Sequence, residues 1–130
     1  MDYHFSKKTS LPFDQAIVEI TEKLKEQGFG VLSDIDVQNT FKNKLGIDFR
    51  AYRILGACSP KFAFEAIQAE PNIGALLPCS VAVQQHEDGK VEISAINPIV
   101  AMGMIQNERL GVVAEQVTDR LRNAVEAVRE

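Results

Sequence analysis

Two cysteines are the residues of this sequence best suited to chemistry, and each lies in a short corner with a serine and a proline. In the first corner, Cys58 precedes Ser59 and Pro60, an order typical of a helix that starts at a capping serine with proline in its first turn. Unpaired N–H groups at a helix N-terminus favour a thiolate over a thiol. The sequence therefore predicts that Cys58 is the more reactive of the two thiols.

The second corner begins about 20 residues further on, where Cys79 lies between Pro78 and Ser80. Cys58 closes one predicted strand and Cys79 opens another, so the two thiols can lie at the same end of a sheet. A third corner, at Asn97, is a less certain neighbour that would serve as a polar orienting group. The alternative is that both thiols are inert, since free cysteine is among the most buried residue types and often packs as a small hydrophobic residue.

The spacing of possible metal ligands is the next feature that limits the chemistry. The two cysteines do not form a C-x-x-C motif, so neither a thioredoxin-like site nor a zinc ribbon is indicated. The two histidines, His4 and His86, have no Cys, His or Asp partner at ligand spacing, and the sequence predicts no metal site. A metal held by the two thiolates and an unidentified third ligand stays open as a weaker alternative.

Three amphipathic or capped segments are expected to form the helices that support these corners. Apolar residues at helical spacing predict a first helix with a cap at Ser10 and a stop at Gly28. A capping serine followed by a first-turn proline predicts another helix from residue 59 to about residue 70. The last predicted helix is the clearest, with an apolar stripe over residues 110–128.

The expected strands alternate polar and apolar residues and include residues 29–35, 49–58 and 80–85. His86–Gly89 predicts a tight hairpin turn into a return strand. The pattern predicts one α+β domain over residues 1–130, in which helices pack on one face of a two-layer, mainly antiparallel sheet. The apolar run Ile96–Ile105, which contains Met102 and Met104, is interpreted either as core or as a subunit contact.

Composition restricts the classes of partner. The chain has 130 residues, of which 45% are hydrophobic and 25% charged, and its net charge is −4. This acidic balance argues against nucleic-acid binding and against an anionic membrane surface. No apolar run suits a signal peptide or a membrane helix. Two cysteines in such a chain fit a reducing cytoplasm, where thiols stay free.

Several short segments in a fixed order resemble a known family. They are Gly28–Val31, Leu55–Pro60, Ile73–Val81, the Asp88–Gly89 turn and Asn97–Pro98. The chain resembles the bacterial and archaeal family of domains of unknown function 302, from about residue 3 to residue 128. The resemblance implies an α+β fold similar to the TATA-binding-protein-like class, and a homodimer. It implies no activity, and it implies no DNA binding, because one fold supports unrelated functions.

The leading hypothesis is a small dimeric domain that binds a small-molecule ligand or responds to redox state near the two cysteines. Its site would contain the residues of the three corners: Cys58, Ser59, Pro60, Pro78, Cys79, Ser80 and Asn97. A thiol-dependent enzyme of sulfur transfer or peroxide chemistry is the first alternative, with Cys58 and Cys79 as candidate catalytic residues. A structural or interaction module is the second. The sequence identifies no cofactor and leaves open whether the domain is an enzyme.

Overall fold

An antiparallel sheet of five strands forms the frame of the computed structural model, which describes residues 2–130. The strands are β1 (His4–Thr9), β2 (Gly30–Asp36), β3 (Tyr52–Cys58), β4 (Cys79–Gln85) and β5 (Val91–Ile96). The helices are α1 (Phe13–Glu26), α2 (Val37–Leu45), α3 (Pro60–Ala69), α4 (Pro98–Ala101) and α5 (Glu108–Glu126), with a 3-10 helix at Pro71–Leu76. The strand order in the sheet is β1-β5-β4-β3-β2.

Buried and more exposed side chains alternate along the central strands, and this alternation explains why the sheet carries helices on one side. Val81 and Val83 of β4, and Val91, Ile93 and Ala95 of β5, are all buried. Side chains two residues apart in a strand point to the same face, so these residues form one continuous apolar surface. Helices α1 and α5 bury this surface, and α3 packs against α5. The predicted two-layer α+β architecture is therefore confirmed, whereas the comparison with the TATA-binding-protein-like class stays a prediction.

Helix α5 is the longest helix of this layer and has the most buried residues. Its buried positions recur at helical spacing and include Leu110, Val117, Leu121 and Val125. Asn107 caps it, because its side-chain oxygen accepts a hydrogen bond from the Leu110 N–H at 3.0 Å. The Asn107 amide also donates to the Ala69 carbonyl at 2.7 Å, so the end of α3 is fixed to the start of α5.

Two predicted boundaries were wrong, each for a local reason. Helix α1 begins after Pro12, and the Ser10 hydroxyl accepts a hydrogen bond from the Lys90 ammonium at 2.7 Å instead of capping the helix. Strand β3 begins at Tyr52 instead of residue 49, because Phe49 packs edge-on against Phe41 of α2, with 5.0 Å between ring centroids. Aromatic packing next to α2 thus replaces strand pairing at this point.

Across residues 2–130, no helix combines the length and the apolar character that a bilayer span requires.

Candidate functional site

The pairing of β3 with β4 brings the two cysteine corners to one end of the sheet. Ala57 is the register partner of Cys79, so Cys58 lies one residue beyond that pair. In an antiparallel pair the end of one strand lies beside the start of the next, which explains why residues so far apart in sequence become neighbours. Helix α3 leaves directly from the first corner, at Pro60.

A glycine allows the second corner to approach β3 closely. Pro78, which follows a cis peptide bond at Leu77, lies over Gly56. A Cβ atom at Gly56 would clash with Ser33 Oγ of β2 and would be only 2.7 Å from Pro78 Cγ, a distance that real side chains do not tolerate. The sequence Leu55-Gly56-Ala57 therefore leaves room for the proline that precedes Cys79.

An apolar cavity of about 30 Å³ lies between this end of the sheet and helices α3 and α5. Four of the predicted site residues line it: Cys58, Ser59, Pro78 and Cys79. The remaining lining is hydrophobic and comes from Phe29, Ala57, Phe62, Ala63, Ala66, Leu77, Pro98, Met102, Val113, Ala114 and Val117. A cavity of this volume has room for one or two groups of the size of a water molecule.

The other three predicted site residues lie elsewhere. Pro60 is exposed in the first turn of α3, and Ser80 is exposed on the helix-free face of the sheet. Asn97 is buried, but its amide is already engaged. Its oxygen accepts from the Ile99 N–H at 3.1 Å and its nitrogen donates to the Asp2 carbonyl at 3.1 Å, so Asn97 caps α4.

The two thiols occupy different environments. Cys79 is 6% exposed, and burial, together with a smaller effect of the neighbouring Cys58, raises the pKa of its thiol to about 11. Burial acts in this direction because an apolar environment disfavours the charged thiolate. Cys58 is partly exposed, and both cysteines are free. At neutral pH Cys79 is therefore a protonated thiol, and Cys58 is the one that solvent reaches.

Met102 is a lining residue that sequence reasoning did not assign to the site. It is 9% exposed, whereas Met104, two residues later, is 85% exposed. Pro98 and Met102 are four residues apart across α4, which places both on the face that covers the cavity. Pro98, at the start of α4, was the sequence signal that could have pointed to Met102 as a lining residue. The apolar run Ile96–Ile105 was interpreted only as core or subunit contact.

The helix-free face of the sheet holds a second, more polar groove of about 330 Å³. Along it, His4 Nδ1 lies 2.7 Å from Ser6 Oγ, which lies 2.7 Å from Ser94 Oγ. Glu92, also on this face, is hydrogen-bonded to His86 Nε2 at 2.7 Å. Despite these side chains, residues 2–130 contain no group of three His, Cys, Asp or Glu side chains placed to hold a metal ion.

Fold and site together define a class: a two-layer α+β domain with two free thiols on one cavity at the end of its sheet. The chain belongs to the family described as "domain of unknown function DUF302", which it matches over residues 5–128. The family resemblance of the sequence is thus confirmed. The chain is also similar to an uncharacterized conserved DUF302 protein from Bacillus stearothermophilus whose crystal structure is known, with 28% identity and a TM-score of 0.92. That similarity covers 99% of this chain and 100% of the other. No curated protein matches the chain.

Proposed function

We propose that this domain binds a small ligand in the cavity between the two cysteine corners, with Cys58 as its accessible thiol. The observation that supports this proposal is that residues from both corners, Cys58 and Cys79 among them, line the same cavity. Because the cavity has room for only one or two groups of the size of a water molecule, the proposed ligand is a very small molecule or a small group of a larger one. The free thiols fit a cytoplasmic protein, since thiols persist in reducing compartments.

The difference between the two thiols assigns them different roles. Cys58 is partly exposed and would meet an incoming ligand first. Cys79 is buried and, with its raised pKa of about 11, stays protonated at neutral pH. Cys79 would line the buried part of the site, and Cys58 would lie where a ligand enters.

A redox response is a second candidate function, and the neighbouring positions of the two thiols favour it. A hydroperoxide would oxidise the Cys58 thiolate to a sulfenic acid and leave as the alcohol or water. The Cys79 thiolate would then attack the Cys58 sulfur and release hydroxide, with formation of a disulfide. The raised pKa of Cys79 makes this second step slow, since the thiolate is the nucleophile. Peroxide treatment should then remove two hydrogens from the wild-type mass but not from the Cys79→Ser variant.

Selective alkylation of the native protein tests the ligand-site proposal. With iodoacetamide at neutral pH, Cys58 should be modified first, and Cys79 on the order of a hundredfold more slowly than a free thiol of pKa ~8.5. Cys58→Ser should leave a protein that resists alkylation until it is unfolded. Cys79→Ser is the matched control and should keep the fast reaction. Equal reaction of both thiols in the folded wild type would contradict the proposal.

Non-denaturing mass spectrometry of freshly purified protein, without added metal, tests occupancy of the same site. An added mass that disappears in Cys58→Ser would locate a ligand at the first corner. A wild-type mass equal to the calculated one, together with unselective alkylation, would return both cysteines to a packing role.

We further propose that the domain acts as a homodimer. Exposed apolar side chains on the edge strand β2 support this proposal, in particular Leu32 at 71% and Ile35 at 52% exposure. Exposed apolar patches often mark contact surfaces. The acidic chain keeps nucleic acid and anionic membranes outside the proposed set of partners.

A further inference from the structure

The polar groove on the helix-free face of the sheet has a row of large side chains beside a floor of small ones. Gln84 of β4 is the register partner of Tyr52 of β3 and of Glu92 of β5, so these three side chains form one row across the sheet. The neighbouring row contains Ala82 and Ser94, which are also register partners. Small side chains beside large ones leave the space of about 330 Å³. The lining is completed by Tyr3, His4, Ser80 and Ile96.

Hydrogen bonds to residues outside the groove hold two of its polar side chains in place. Arg50 Nε donates to Gln84 Oε1 at 3.0 Å, and His86 Nε2 lies 2.7 Å from Glu92 Oε1. Within residues 2–130, no further hydrogen bond uses the Gln84 NH₂ group or the second Glu92 oxygen, so one donor group and one acceptor remain for a ligand. Groups that are already oriented lose little freedom on binding.

The charges around the groove oppose a charged ligand of either sign. Of the described residues that line it, Glu92 is the only carboxylate and none is a lysine or an arginine. An anion would meet the Glu92 carboxylate. A cation would meet the Arg50 guanidinium, which is bonded to Gln84, and Lys8, the register partner of Glu92. Because like charges in contact are costly, this arrangement favours a neutral ligand.

The donors and acceptors of the lining match the hydroxyl groups of such a ligand. A hydroxyl both donates and accepts, so hydroxyls can bond to the Gln84 NH₂ group and to the Glu92 carboxylate. The hydroxyls of Ser80 and Ser94 can take either role. The half-buried Tyr52 ring offers an apolar surface for C–H groups. The groove volume lies at the lower end of the range for small-molecule sites, about 300–1,000 Å³, and therefore suits one ring.

We infer that the polar groove binds a neutral polyhydroxylated ring, of the kind found in sugars, beside Tyr52, Gln84 and Glu92. Glu92 accepts from a ligand hydroxyl, Gln84 donates to one, and Tyr52 packs against the ring. Among the described residues, none lines both this groove and the cavity between the two cysteine corners. The inference therefore goes beyond the proposed function and does not depend on it.

The test is a titration of the isotopically labelled full chain with glucose, galactose and ribose, followed by the amide NMR signals. At least one of these sugars should shift the signals of β3, β4 and β5 around the groove, and glucose should bind more tightly than its charged counterparts glucosamine and glucuronate. Glu92→Gln should weaken binding about tenfold or more, since a hydrogen bond to a charged group contributes that much. Glu87→Gln, in the exposed turn next to His86, is the matched control and should bind like the wild type.

A second variant blocks the groove without touching its polar groups. Ala82→Leu enlarges a side chain on the floor and should abolish the shifts, whereas Ala75→Leu, at an exposed position of the 3-10 helix, should leave them unchanged. Circular dichroism shows whether each variant is folded.

Four outcomes would overturn the inference. They are no saturable shift with any of the three neutral sugars, tighter binding of glucosamine or glucuronate than of glucose, full binding by the folded Ala82→Leu protein, and groove signals that move with protein concentration in the absence of sugar. The last result would mean that a second copy of the chain covers this face.

Discussion

At the scale of single residues, the contact between Gly56 and Pro78 determines how the two corners meet. Gly56 has ordinary backbone angles, so its role is steric: it leaves the space that Pro78 fills. Pro78 in turn lines the cavity beside Cys79. The geometry of the site thus depends on the absence of one side chain in β3.

Replacement of Gly56 by alanine tests this steric role. The added Cβ would clash with Ser33 Oγ and meet Pro78 Cγ at 2.7 Å, and the overpacking should lower the free energy of unfolding by about 1–3 kcal/mol. Urea denaturation measures the change, and alkylation of Cys79 should become faster in the same variant as the corner moves away. Gly111→Ala is the control, because nothing lies within 4 Å of its Cβ position and alanine favours a helix. A Gly56→Ala protein as stable as the wild type would show that the corner can shift without cost.

At the scale of elements, a carboxylate in α1 fixes the end of the chain. Glu19 is buried, and it accepts hydrogen bonds from the Arg129 backbone N–H at 2.5 Å and from Arg129 Nε at 2.6 Å. The hydrogen bond from the Arg129 backbone N–H lowers the pKa of Glu19 below its ordinary value of 4.5, against the opposing effect of burial. The Thr9 hydroxyl of β1 donates a hydrogen bond to the Arg129 carbonyl at 2.6 Å, so β1, α1 and the C-terminal segment meet here.

The stability that Glu19 contributes should depend on pH. Because its folded pKa is below the unfolded value, its contribution is fully present above about pH 4.5 and is lost as the pH falls through the lowered pKa. Glu19→Gln should therefore lower the free energy of unfolding by on the order of 1 kcal/mol at pH 7, and the difference from wild type should shrink in acid. Urea denaturation at several pH values checks this. The exposed Glu22→Gln on the same helix should show no such dependence, and a pH-independent loss in Glu19→Gln would contradict the assignment.

Strong periodicity explains which elements sequence reasoning found. The α5 stripe and the His86–Gly89 turn follow local rules of spacing and turn chemistry, and both appear in the structure. The approach of the two cysteine corners could also be predicted, because it requires only that β3 and β4 are antiparallel neighbours in the sheet. Met102 was missed because its burial depends on where α4 lies, and the Glu19–Arg129 contact was missed because it joins residues from opposite ends of the chain. Contacts of that kind have no local signature.

At the scale of the whole molecule, the two edges of the sheet differ in their protection. The edge strand β1 carries Lys7 and Lys8, and charged side chains of this kind discourage association. The opposite edge, β2, carries Asp34 and Asp36 but also exposes two large apolar side chains, Leu32 and Ile35. These apolar side chains make β2 the edge where the proposed homodimer is most easily tested.

Substitution of Leu32 by lysine should convert the proposed dimer into a monomer, since a charge in a buried contact is costly unless it is paired. Leu32 is 71% exposed and therefore makes few stabilising contacts within the monomer. The melting midpoint measured at low concentration should not change. Light scattering after size exclusion, at two protein concentrations at least tenfold apart, measures the mass. Val18→Lys, at an exposed position of α1, is the matched control and should remain dimeric. A wild-type protein that is monomeric at both concentrations would reject the dimer, whereas a dimer unaffected by Leu32→Lys would place its contact away from β2.

Alkylation of Cys58 in the monomer and in the dimer shows whether the second copy affects the cavity between the two cysteine corners. An equal rate would mean that the cavity functions within one chain. A slower rate in the dimer would mean that the second copy restricts access to Cys58.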